Sequence, residues 1–296
     1  MLFSVIHTTS YIYEGSVTYC HNISNLKPRE FLGQKLVDYR LDISPKPNYI
    51  EEDLDFFGNT VTRFSINEPH KELIVTAISN VERNYNLEPN VFTSEICKNT
   101  TVKEALEIIN KGEEEILKVV EFTLDSQFIK GISDEIKEYA KKSLQPESSL
   151  FEATKNLMER IFKDFKFDAT FSTISTPLDE VMKAKKGVCQ DFAQIGIACL
   201  RSIGLPARYV SGYIETLPPP GKIKLVGTDA SHAWFSVYIP NFGWVDFDPT
   251  NNQIPKNQHI TVSYGRDYYD VPPLKGVLYG SGGSKMKVSV DIRPAE

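Results

Sequence analysis

Residues 189–203, Cys-Gln-Asp-Phe-Ala-Gln-Ile-Gly-Ile-Ala-Cys-Leu-Arg-Ser-Ile, constrain the fold more than any other stretch, because they are of helical length and apolar on most sides. A helix of that kind cannot rest on a surface, so the stretch predicts a buried central helix. Gly187-Val188 leads into it, and Gly204 with Pro206 supplies the stop signal. Its first residue, Cys189, is a potential nucleophile.

The chain on either side has a different texture. Residues 207–214, 232–239 and 243–248 read as strands, the last two joined by Pro240-Asn241-Phe242. A loop with three consecutive prolines runs between Glu215 and Ser231, and is expected to border the cleft and shape substrate access. Further β-type runs lie at 259–264, 277–279 and 285–292. Before residue 85 the pattern is short β runs at 3–13, 16–21, 35–43, 60–66 and 73–81, with Gly58-Asn59 marking a hairpin, which predicts an antiparallel sandwich or barrel. Residues 101–164 are mainly helical, with Val102, Ala105 and Ile109 and then Leu150, Leu157 and Ile161 at helical spacing. The expectation is an α+β chain: a β-sandwich-like domain over 1–100, and a second domain over 101–296 comprising a helical segment, a core at 150–255 and a C-terminal β segment.

Composition narrows the partners. With 296 residues, of which 41% are hydrophobic, the chain can bury a large core. Its 33 basic and 39 acidic side chains leave a net charge of −6, which offers no field for phosphate backbones or anionic lipid, so neither nucleic acid nor membrane is expected as a partner. Four scattered cysteines do not make a disulfide framework, and no signal-like or membrane-spanning stretch occurs, so a soluble cytoplasmic protein in a reducing compartment is expected.

A helix that begins at Cys189 puts sulfur at the positive end of the helix dipole, beside N–H groups with no intrahelical partner. Both favour thiolate, the nucleophilic form, although a small buried cysteine would fit the same position. Cys199, inside the apolar stretch, is expected to be core. A base and an orienting carboxylate are supplied by His232, opening a strand, and Asp248, ending its neighbour. A three-residue loop at 240–242 pairs residues 239 and 243, which puts Asp248 level with Trp234 and diagonal to His232, while Asp246 sits closer to the turn. Asp191 is expected to support the first helical turn, Trp234 and Trp244 to pack around the site, and His7, His21 and His70 to be structural. His259 is a rival base without a carboxylate at comparable spacing, and Cys189, His232, Asp248 and His259 lack the short paired spacings of a zinc site.

The residues also carry a family resemblance. Gly-Val-Cys-Gln-Asp-Phe-Ala at 187–193, Gly-Leu-Pro-Ala-Arg-Tyr-Val-Ser-Gly-Tyr at 204–213, His-Ala-Trp at 232–234 and Gly-Trp-Val-Asp-Phe-Asp-Pro-Thr at 243–250 resemble the bacterial form of the transglutaminase-like superfamily. The β region before them resembles the N-terminal domain that accompanies this core in bacteria. The resemblance implies a papain-like arrangement with Cys189 as nucleophile, His232 as base and Asp248 as orienting carboxylate. It implies no cofactor and no metal, and a peptide or protein amide as substrate. Nothing resembles the additional C-terminal β-sandwich domains or the calcium site of animal transglutaminases. Amide hydrolysis through a thioester acyl-enzyme is therefore expected, with transfer of the acyl group to an amine and an inactive binding or scaffold protein as the alternatives.

Overall fold

The computed structural model describes residues 1–112, 114–215 and 231–295; the proline-rich loop at 216–230 lies outside them. The first strands are β1 (Leu2–Ser24), β2 (Gln34–Ser44), β3 (Tyr49–Leu54), β4 (Thr60–Ile66) and β5 (His70–Arg83). Helices α1 (Glu95–Asn99), α2 (Val102–Lys111), α3 (Glu114–Leu117), α4 (Asp134–Lys141), α5 (Leu150–Asp164), α6 (Leu178–Ala184) and α7 (Cys189–Arg201) follow, with short strands β6 (Lys166–Phe167) and β7 (Lys186–Gly187) pairing before α7. The chain then forms β8 (Ala207–Ile214), β9 (Ser231–Ile239), β10 (Gly243–Phe247), β11 (His259–Gly265), β12 (Leu274–Gly280) and β13 (Ser284–Ala295).

The N-terminal sheet has seven antiparallel strands arranged around the long β1. Along one side of β1, β13 pairs from Leu2↔Ala295 to Tyr13↔Ser284, and β12 continues from Val17↔Gly280 to Ser24↔Leu274. Along the other side β5 pairs with the first half of β1 and β4 with the second, while β2 and β3 extend the same pattern outward. The register shift in β1 between Ile12 and Val17 falls level with the β12–β13 turn. Val17, Cys20, Phe64, Ile66, Leu73 and Val75 of this sheet form one buried apolar cluster. The two runs expected at 3–13 and 16–21 are therefore one irregular strand. β3, whose residues are all exposed, has no apolar alternation to announce it.

One expectation about the domains needs correction. The sequence places the C-terminal β segment with residues 101–296, but β12 and β13 hydrogen-bond to β1. The last strands thus return to the N-terminal sheet, and the chain enters and leaves through the same layer.

The second sheet has the order β10–β9–β8–β11, antiparallel throughout. Helix α7 lies against it, with Phe192, Ile195 and Cys199 in one core with Ala233, Phe235 and Val237 of β9. Gly196 permits the close approach, since a Cβ there would come within 2.5 Å of the Phe235 ring. Helices α4, α5 and α6 cover other sides of α7, so every residue from Asp191 to Arg201 is buried, as expected of a helix apolar on most sides.

The two layers meet along β11. Phe3, Val5, Val81, Val290 and Ile292 pack against Tyr213, Ile260 and Val262. Side-chain amides close the open edge: Gln34 donates to Thr261 O (2.7 Å) and accepts from Thr261 N (2.9 Å), and Asn59 does the same for Tyr264 (2.8 and 3.0 Å). An edge strand otherwise offers unpaired backbone groups to foreign chains, and here two amides occupy them.

Candidate active site

Val188 is extended and Cys189 is the first helical residue of α7. Asp191 accepts from Val188 N (2.8 Å) and from the Ser172 hydroxyl, so its carboxylate ties down the entry to the helix in the supporting position expected of it. Gly187 makes room, since a Cβ there would meet Asp191 Oδ2 at 2.5 Å. Cys189 is half-buried, whereas Cys199 is fully enclosed and burial pushes its thiol up to about 12.

The β9–β10 hairpin runs in the expected register, from Gly243↔Ile239 to Phe247↔Phe235. Asn241 adopts a positive φ of 63° and Gly243 one of 111°, the pattern of a three-residue loop. Just past β10, Asp248 turns the chain: its Oδ1 accepts from Thr250 N (3.0 Å) and Asn251 N (3.2 Å), and its backbone bridges to Gln253. This turn aims Oδ2 at the start of β9, 2.8 Å from His232 Nε2. The Cys189 side chain is close enough to be one of the groups that favour the charged form of His232. With Nε2 given to Asp248, Nδ1 is the nitrogen left for sulfur.

Burial and pairing compete at this cluster, and pairing prevails. Burial opposes a charge on His232, but the hydrogen bond to Asp248 and the nearby Cys189 outweigh it and raise the imidazole to about 10. Burial likewise opposes ionisation of Asp248, which is fully enclosed, yet hydrogen bonds from His232 and His259 hold its carboxyl far below the usual range. The result is an imidazolium on an ionised carboxylate, with a thiol within reach.

The structure corrects three expectations about neighbouring residues. His259 does have a carboxylate: its Nε2 lies 3.1 Å from the same Asp248 Oδ2. Sequence spacing hid this because the chain after Asp248 crosses to the far edge of the sheet, where β11 pairs with β8 and His259 comes to lie beside His232 (ring centroids 6.0 Å apart). Spacing likewise hides a second grouping: ligand atoms of His232, Asp248 and His259 lie within 4.8 Å of one another. As arranged they hydrogen-bond directly, with Asp248 Oδ2 at 2.8 Å from His232 Nε2 and 3.1 Å from His259 Nε2. Finally, Trp234 packs beside His232 (centroids 5.9 Å apart), but Trp244 packs instead with Phe122 and Tyr238 beneath the Arg208 guanidinium. Asp246 accepts from Trp234 Nε1 (2.9 Å) and the Ser236 hydroxyl, so it holds the tryptophan and not the histidine.

Asn251 was not singled out in the sequence. Its Nδ2 donates to Asp248 Oδ2 (2.8 Å) and lies 3.3 Å from His232 Nε2. The available signal was the Asp248-Pro249-Thr250-Asn251 string, an aspartate-led turn that returns its own donors to the carboxylate.

Against known proteins, residues 137–249 match the transglutaminase-like superfamily, and residues 3–82 match the bacterial transglutaminase-like N-terminal region. The uncharacterized protein Rv2569c of Mycobacterium tuberculosis is 41% identical over 99% of this chain and 93% of its own length. The chain belongs to the transglutaminase-like superfamily. The crystal structure of a candidate cysteine protease from Cytophaga hutchinsonii has the same fold, with a TM-score of 0.74 over 100% of this chain and 92% of that one at 21% identity. A shorter likeness, 35% identity over 26% of this chain and 12% of the other, is to the protein-glutamine gamma-glutamyltransferase of Pseudomonas aeruginosa.

Proposed function

We propose that the chain is a cysteine-nucleophile acyl-transfer enzyme that hydrolyses amide bonds in peptides or peptide-like substrates, with Cys189 as nucleophile, His232 as acid–base and Asp248 as orienting carboxylate. The observation that carries this reading is His232 held 2.8 Å from the buried Asp248 carboxylate, with the Cys189 side chain near enough to favour its charged form. The thiolate attacks the carbonyl carbon, and the carbonyl electron pair moves to oxygen. The tetrahedral species collapses with breakage of the C–N bond as the His232 imidazolium gives its proton to the leaving amine. Neutral His232 then takes a proton from water, whose oxygen attacks the thioester, and returns that proton to sulfur as the acid is released. We place this chemistry in the reducing cytoplasm, where a nucleophilic thiol persists.

Transfer to an amine is the second reading, supported by the local likeness to a gamma-glutamyltransferase. The same thioester would be intercepted by an amine in place of water. The deciding experiment treats the protein with an iodoacetamide-type probe at neutral pH and reads intact mass, then assays a peptide-amide library with and without a primary amine. Rapid single labelling at Cys189 with carboxylate products supports hydrolysis; amide products with the added amine support transfer. Slow labelling equal to that of an ordinary thiol sinks both.

A further inference from the structure

We propose that His259 is a positioning residue for the Cys189–His232 pair: a neutral second histidine whose Nε2–H fixes the Asp248 carboxylate with one oxygen aimed at His232. The inference rests on the acyl-transfer reading above and adds to it a residue lying beyond the matched residues 137–249.

The hydrogen-bond arithmetic starts at Asp248. An ionised carboxylate only accepts, so each ring nitrogen that touches it must carry hydrogen. Oδ2 takes His232 Nε2 at 2.8 Å, His259 Nε2 at 3.1 Å and Asn251 Nδ2 at 2.8 Å, while Oδ1 takes Thr250 N and Asn251 N. Nδ1 of His259 is buried and has no hydrogen-bond partner among the described residues, so Asp248 dictates the tautomer and the proton belongs on Nε2.

Charge decides why a second histidine suits this place. His259 is 2% exposed, and burial keeps it neutral, with the neighbouring His232 cation acting in the same direction and Asp248 and Asp246 against it. A neutral donor orients the carboxylate without drawing away its charge. A charged one would compete with His232 for the same oxygen and weaken the imidazolium on which the thiolate depends.

Packing fixes the ring. Trp234 stands edge-on to His259, centroids 5.1 Å apart at 84°, and also flanks His232. On one side His259 lines a cavity of about 450 Å³ between the two layers, whose charged walls include Arg83, Arg208 and Asp246. On another it borders a smaller cavity carrying Lys155, Glu159 and Lys256. No carboxylate other than Asp248 hydrogen-bonds either of its nitrogens among the described residues.

The experiment is the pH profile of Cys189 alkylation by iodoacetamide, read by intact mass, in the parent, His259→Phe, His259→Asn and His259→Gln, with thermal stability measured on each. Phe keeps bulk and loses the donor, Asn carries an amide too short to reach Oδ2, and Gln returns a neutral N–H near the Nε2 position. We expect the alkylation midpoint to rise by about one pH unit in Phe and Asn, and to return to within roughly 0.3 of the parent in Gln. Asn serves the comparison if Phe does not fold. Lower thermal stability with an unmoved midpoint in both donor-less variants overturns the proposal and leaves a structural histidine. A parent that alkylates as an ordinary thiol overturns the acyl-transfer reading itself, and His259 then has no pair to position.

Discussion

Asp248 Oδ2 lies 2.8 Å from His232 Nε2, which leaves the other ring nitrogen for the Cys189 sulfur. Asp248→Asn keeps the shape and removes the charge. The amide would present either a competing donor or a weaker acceptor to Nε2, so both tautomer and imidazolium suffer. Activity on an amide substrate should fall on the order of 10³-fold or more, with little change in the denaturant midpoint. A loss of less than about tenfold would remove Asp248 from its role.

The two cysteines of α7 provide an internal control. Cys189 is half-buried beside a charged imidazole, whereas Cys199 is enclosed and its thiol is pushed up to about 12. Cys189→Ala should abolish turnover and rapid labelling while the circular dichroism spectrum stays that of the parent. Fast labelling that persists in Cys189→Ala would point to another thiol as the reactive one.

Much of the site was legible in the sequence because it is local. A loop of odd length fixes the β9–β10 register, which carries the chain to Asp248 on the His232 face, and the turn past β10 completes the approach. The buried helix was legible from its nearly continuous apolar character. What escaped was non-local. β12 and β13 read as strands, but no local pattern says that their partner is β1, more than 250 residues away along the chain at Leu2↔Ala295. His259 escaped because the pairing of β11 with β8 sets its distance from Asp248, and a strand's partner is not a periodicity. Gln34 and Asn59 read as ordinary polar residues, yet they close the β11 edge because that strand happens to stop beside them.

That edge yields a stability prediction. Gln34→Ala would strip Thr261 N of its acceptor and Arg29 O of its side-chain donor at a buried position, and would leave Thr261 O only the longer bond from Arg29 N (3.3 Å). Leaving such groups unsatisfied costs about 1–3 kcal/mol each, less if water enters, so a drop of about 2 kcal/mol is expected in urea unfolding. A variant as stable as the parent would mean that water takes over the edge without penalty.

Gly196 tests the contact between α7 and β9. In a solvent-facing helix Gly→Ala is stabilising by about 1 kcal/mol through propensity. Here the added methyl would come within 2.5 Å of the Phe235 ring, itself locked between α7 and Phe247. Overpacking of this kind costs about 1–3 kcal/mol, so Gly196→Ala should lower the urea midpoint. A rise would show that the helix can shift away from the sheet.

His7 gives the contact between the layers a pH dependence. Its ring is 1% exposed, joined to Tyr213 of the second sheet through Nδ1 (3.0 Å) and to Thr9 through Nε2 (3.2 Å), and burial lowers its pKa from 6.5 to about 4. Above pH 6.5 the ring is neutral in both folded and unfolded chains and adds no pH slope. Between pH 6.5 and about 4 the unfolded chain binds a proton that the folded chain refuses, so stability falls as pH falls, by about 1.4 kcal/mol per unit for one full proton. The raised His232 works in the opposite sense at higher pH: its contribution is complete below about 6.5 and is lost as pH climbs through about 10. The two windows do not overlap, so they can be separated. His7→Gln, which keeps polar atoms near Tyr213 and cannot titrate, should reduce the slope of unfolding free energy between pH 6.5 and 4 by about one proton while leaving the alkaline limb unchanged. Equal acid slopes in parent and variant would assign the acid sensitivity to other groups.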